Sequence, residues 1–207
     1  MRSIYYSTLL LSSALLIGCA SQGTAYYTLS TPQNEATSNT GLSFDEPYVL
    51  NRVAVPAAVD DTPLVVRQSN DQLMVLSNDK WTAPLGEILR SALSQAMTQT
   101  LGTPPLQGVM PNSGKLATGV NEIIIDIQQF DMQPARQSSL AAVWRVNFAD
   151  QTKSSLTCYS FLSEPATAGV APLVAAQQTN VLSLAQQMAY SLQNQQAPDG
   201  AKCQTKG

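Results

Sequence analysis

The stretch from Leu85 to Leu101 sets the terms for the rest of the chain. Leu85, Ile88, Leu89, Ala92, Leu93, Ala96, Met97 and Leu101 recur at the i, i+3, i+4, i+7 spacing of one helix face. Glu87, Arg90, Ser91, Ser94, Gln95 and Thr98 occupy the other face. Pro84 suits a first turn, where its missing N–H costs nothing, with Thr82 or Ala83 at the N-cap. Gly102 stops the helix, and Pro104-Pro105 keep it from resuming. A helix with one apolar face must bury that face, and strand-like runs on either side offer the surface. This helix is expected to be core and to carry no chemistry.

The flanking runs read as follows. Tyr26–Leu29 is a short strand signal, and Ser30–Asn39 is a polar surface loop. Tyr48–Val55 alternates, with Val49, Val53 and Val55 on one side and Leu50, Arg52 and Ala54 on the other. Pro63–Gln68 and Gln72–Ser77 form the arms of a hairpin turned at Ser69-Asn70-Asp71, and Asn78-Asp79 ends the second arm. Thr103–Gly119 is a long connection. Glu122–Met132 is a strong strand, apolar on both sides near its start, which predicts a central strand covered on two faces. Leu140–Ala149 turns Leu140, Ala142, Trp144, Val146 and Phe148 inward, and Ser155–Phe161 is its antiparallel partner across the turn Asp150–Ser154. Glu164–Pro172 reads as a loop of small residues. A second amphipathic helix starts near Pro172 or Ala175 and ends by Gln196. Gln177, Gln178, Gln186, Gln187 and Gln193 populate its polar face. Two main amphipathic helices and about seven strand segments give one α/β sandwich with a mixed β-sheet. The passage from Gln72 to Met132 offers a parallel crossover.

The first residues bear on compartment. Arg2 is the only charge ahead of an apolar run from Ile4 to Ile17, and Leu16-Ile17-Gly18-Cys19 follows. A short positive start, a short apolar core and small residues at the cut describe a secretory signal, too short for a membrane span. The last four residues resemble the lipobox of bacterial lipoproteins, which implies cleavage before Cys19 and lipid on its sulfur and amine. The alternative is an ordinary cleaved signal with a chance Cys. On the lipobox resemblance the expected division is 1–18 signal peptide, 19–47 the lipidated Cys, tether and first short strand, and 48–207 a single α/β domain. Ala20 after the Cys, in place of Asp, implies sorting to the outer membrane in a Gram-negative cell. Removing residues 1–18 leaves 189 residues, with 10 basic against 14 acidic side chains and a net charge of −4. No basic run is present, so nucleic acid is not an expected partner.

Two cysteines remain, Cys158 and Cys203. An even pair in an oxidising compartment favours a disulfide tying the C-terminal tail to a strand. The alternative is a buried free Cys158 and an exposed Cys203. The chain has no histidine, so it holds no Ser–His–Asp or Cys–His arrangement, and two Cys alone are too few ligands for zinc. No phosphate-cradling or dinucleotide loop and no nucleophile elbow is present, so no metal, cofactor or catalytic residue is expected. Asp60-Asp61 and Asp126 with Asp131 are the carboxylate pairs able in principle to act as acid and base. Both read more simply as a solvated loop and as strand residues facing an edge or a partner.

Tyr26-Tyr27-x-Leu29 behind a lipobox, Val53-x-Val55-Pro56, Val65-Val66, and Asn78-x-x-Trp81-x-x-Pro84-Leu85 opening an amphipathic helix come in a telling order. With the Asp126 and Phe130 strand, the Trp144 strand and a C-terminal helix, this order resembles the ABC-type transport auxiliary lipoproteins, in particular their paraquat-inducible protein C branch. The resemblance spans Tyr26 to about Leu192. It implies a three-layer sandwich with a mixed sheet. It further implies an outer-membrane lipoprotein facing the periplasm, serving a system that moves lipids between the two membranes. The implied partner is an MCE-domain tunnel protein of the paraquat-inducible protein B type, and a homo-oligomeric ring is possible in the family. Two roles fit: an adapter that fixes the tunnel at the outer membrane, or a carrier that holds an acyl chain in its own cavity. A purely structural envelope lipoprotein is a third. Trp81, where a loop enters the helix, is the candidate docking residue, against the simpler reading that it packs over the helix start.

Overall fold

The computed structural model describes residues 23–30, 44–69, 71–106, 119–150 and 152–206. Cys19 and the leader lie outside them. In chain order the elements are β1 (Ala25–Tyr27), β2 (Tyr48–Ala54), β3 (Pro63–Arg67), β4 (Leu73–Trp81), α1 (Leu85–Leu101), β5 (Asn121–Gln133), β6 (Gln137–Asn147), β7 (Ser155–Pro165), α2 (Val170–Asn194) and β8 (Ala201–Lys206). The strands form two mixed sheets, β1-β4-β3 and β2-β5-β6-β7-β8. The parallel pairs are β1 with β4 and β2 with β5. The parallel crossover therefore joins β2 to β5 through α1, and not β4 to β5.

Helix α1 buries the eight apolar residues that the 3.6-residue period singles out. Its N-cap is Pro84, one or two residues later than the sequence suggests, and no side chain of its own caps it. Asp60 Oδ1 instead accepts the Gly86 N–H at 3.0 Å from the preceding loop, satisfying one of the orphan donors of the first turn. Gly102 ends the helix in left-handed geometry, its N–H donating to the Thr98 carbonyl.

Two one-residue bulges decide which side chains face the core. Leu50 pairs with Ile123 but Val53 pairs with Ile125, so β2 carries an extra residue, and Leu50 and Val53 share the core face. On β5, Ile127 pairs with Ala142 and Gln129 with Ala141. The inward set therefore shifts from Ile123, Ile125 and Ile127 to Phe130 and Met132, all buried.

Helix α2 lies over β5, β6 and β7, α1 over β2, and the helices touch each other. Both thus cover the same face of the five-stranded sheet. Among the described residues the opposite face is open around Ile124, 38 % exposed, so β5 is central but uncovered there on one face, while Asp131, Ser139 and Ala141 farther along that face are buried. The mixed α/β class is as the sequence indicates, with the helix pair on one side of the large sheet and the small sheet continuing the core through Leu64, Val66 and Trp81.

Other boundaries move. β4 runs through Asn78-Asp79 to Trp81, because β1 pairs with it there and supplies the hydrogen bonds that turn residues alone would lack. β1 and the buried Leu29 belong to the fold, which begins ahead of Tyr48. Helix α2 begins at Val170, two to five residues earlier than the sequence suggests and inside the stretch read as loop. The C-terminal tail is β8, antiparallel to β7, with Cys203 directly opposite Cys158 and the two joined as a disulfide. Closing 45 residues of chain is worth about 4 kcal/mol in the chain-entropy model. Replacing both cysteines by Ala is expected to lower the unfolding free energy by about 2–4 kcal/mol in urea titrations, with α1 still folded by circular dichroism.

Candidate partner interface

The open face of the large sheet is assembled from alternate residues of its inner strands. Asp126, Val143, Tyr159 and Lys202 stand in one cross-strand row, and Ile124, Arg145, Thr157 and Gln204 in the next. Phe161 lies two residues from Tyr159 on the same side. Ile124, Val143, Tyr159 and Phe161 are each 36–51 % exposed and trace a diagonal apolar stripe, since Val143 opposes Tyr159 directly.

Polar side chains border the stripe and are held by neighbours. Arg145 Nε donates to Thr157 Oγ1 at 2.9 Å, and Gln128 Nε2 to Asp126 Oδ2 at 2.7 Å. Glu122 accepts from Asn51 on β2 and from Asn147 on β6. The strands beneath are fixed from the other side. Trp144 Nε1 donates to Ser160 Oγ at 2.9 Å, and Ser160 Oγ donates to Gln187 Oε1 of α2 at 2.6 Å. An apolar stripe with a polar border on a rigid sheet is suited to holding a protein partner.

Trp81 is not part of this surface. It is 2 % exposed, meets Phe130 edge-on at 6.2 Å, and its backbone N–H donates to the Thr62 carbonyl. The docking role suggested for it is corrected: as the last residue of β4 it points into the core, not out of a loop. Trp144 is core as well.

The carboxylates have structural partners. Asp60 and Asp61 accept backbone N–H groups, from Gly86 and Thr62 respectively. Asp131, 9 % exposed, pairs with Arg67 at 2.9 Å, and this hydrogen bond, with the Asp131 charge, raises the guanidinium above its usual value against the opposing effect of burial. Asp126, on the open face, accepts from Gln128 Nε2. Burial pushes Tyr48 up strongly, and its hydroxyl donates to the Thr103 carbonyl. Tyr27 is raised by burial and by its hydrogen bond to Asp79. Among the described residues no cluster of three or more His, Cys, Asp or Glu is positioned to hold a metal, and no helix is long and apolar enough to cross a membrane.

A family model described as the ABC-type transport auxiliary lipoprotein component matches residues 27–189. No curated protein matches the chain. The fold is similar to the crystal structure of an uncharacterized protein, with TM-score 0.65, 16% identity, and 82% of this chain and 99% of that one covered. It is also similar to a crystal structure of a protein from Xanthomonas campestris, with TM-score 0.54, 14% identity, and coverage of 84% and 94%.

The two aromatic environments separate in a stability experiment. Trp81→Ala is expected to cost about 3–5 kcal/mol by chemical denaturation, as for other large-to-small core changes. Phe161→Asp is expected to stay within about 0.5 kcal/mol of the parent, as an exposed substitution does.

Proposed function

The chain belongs to the ABC-type transport auxiliary lipoprotein component family, and from that premise we propose that it is a non-catalytic adapter anchored in the outer membrane through Cys19. In this reading it faces the periplasm and docks an MCE-domain tunnel protein that passes lipids between the two membranes. The observation that carries the adapter role is the open sheet face, where Ile124, Val143, Tyr159 and Phe161 stay exposed on a braced sheet. Buried aromatic anchors supply most of the binding energy at such contacts.

The carrier reading is less favoured. A bound acyl chain needs a continuous apolar cavity. Here the space between the large sheet and the helices is filled by Ile123, Ile125, Ile127, Trp144 and Val146 from the sheet and Leu184, Ala185 and Met188 from α2. The first turns of α2 after Gly169 likewise pack inward, through Leu173, Val174 and Ala176. A ring of copies would add avidity to a weak single contact.

The test mixes the detergent-solubilised lipoprotein with the periplasmic part of an MCE tunnel protein from the same genome, followed by size-exclusion chromatography with mass detection. Co-elution is expected, and Phe161→Glu is expected to weaken it at least tenfold with folding intact. Lipoprotein that elutes separately from the tunnel protein at all concentrations, yet carries copurifying phospholipid by mass spectrometry, would favour the carrier.

A further inference from the structure

We propose that the tip of the β3–β4 hairpin is a membrane-contact surface, seated in the phospholipid headgroup layer beside the lipid anchor. The proposal rests on the lipoprotein reading and adds to it an orientation of the fold on the bilayer.

Strand direction supplies the first argument. β1 runs parallel to β4, with Ala25 opposite Asp79. The chain therefore enters β1 from the side on which β4 begins, and that is the side of the hairpin turn. Six residue steps separate Cys19 from Ala25, at most about 21 Å of extended chain. Six further steps along β4 lead from Asp79 back to Leu73, about 20 Å of strand. The acyl chains on Cys19 thus hold the bilayer surface no farther from the start of β1 than the hairpin tip reaches in the same direction.

The side chains at the tip supply the second. Leu73, Met74 and Val75 are 45 %, 40 % and 63 % exposed. Consecutive strand residues point to opposite faces, so apolar groups project from both sides of this arm. A protein docked on one face of the sheet would cover only alternate residues, whereas immersion in a lipid interface covers all three.

Charge decides the kind of lipid contact. Arg67 near the tip is paired with Asp131, and Asp71 lies within its electrostatic reach. Arg136, exposed in the adjoining β5–β6 turn, lines a groove with Arg67, Met74 and Pro134. Two cations balance two anions, so contact comes from apolar insertion and does not require anionic lipid.

The test places a nitroxide on Val75→Cys or, for comparison, on Phe161→Cys, in the lipidated chain bound to phosphatidylcholine vesicles, with flotation confirming attachment. The expected result is a ratio of oxygen to water-soluble nickel-chelate collisions several-fold higher at position 75 than at 161, and unchanged when phosphatidylglycerol is added. Equal ratios in a chain that floats with the vesicles would overturn the hairpin contact while leaving the anchor intact. Loss of collisions with both reagents at position 75 would overturn it in favour of a protein neighbour. A chain that fails to float would remove the anchor and the proposal together.

Discussion

The one-sided cover of the five-stranded sheet is the constraint on which the rest depends. Ile123, Ile125 and Ile127 of β5, Trp144 and Val146 of β6, and Leu156 and Cys158 of β7 all turn to the face that α1 and α2 occupy. Each large side chain buried there is worth roughly 1.5–3 kcal/mol relative to exposure. The two helices pack against each other as well as on the sheet, so both apolar faces are spent on the same side. The described elements then leave Val143, Tyr159 and Phe161 uncovered on the far side, in strands too firmly held to turn them inward.

Buried polar groups fix where α2 sits. Gln177 Nε2 donates to the carbonyls of Asp131 and Ser139, Asn180 Nδ2 donates to the Ser138 carbonyl, and Ser138 Oγ donates to the Leu173 carbonyl. Each bond adds about 1 kcal/mol net, but leaving one of these groups unpaired costs more. A shift of α2 along the sheet would orphan several together. The network therefore specifies register more than it adds stability, and it braces from behind the strands that present the candidate interface.

Legibility in the sequence followed period and range. The buried face of α1 was readable residue by residue because a 3.6 period over 17 residues has no competitor. The inward set Leu140, Ala142, Trp144 and Val146 was readable from strict alternation. Alternation misleads where a bulge inserts a residue, as at Leu50 and Val53, and no local pattern marks those insertions. Gln177 looked like a polar-face residue, yet it is wholly buried, because its partners are carbonyls 38 and 46 residues away. Trp81 offered two readings, docking residue or core over the helix start, and the pairing of β1 with β4, which extends β4 up to it and places it in the core, joins segments distant in the chain. The same gap hid the open sheet face. Whether Ile124 meets a second layer or solvent depends on which side of the sheet α2 takes, and nothing near Ile124 encodes that.

Hydroxyl-radical footprinting of the lipoprotein, alone and bound to the periplasmic part of an MCE tunnel protein, reads the open sheet face side chain by side chain. The adapter account predicts that oxidation of Tyr159 and Phe161 falls several-fold in the complex, while Tyr190, 43 % exposed on α2, keeps its reactivity. A complex in which Tyr159 and Phe161 react as they do in the free protein would contradict it.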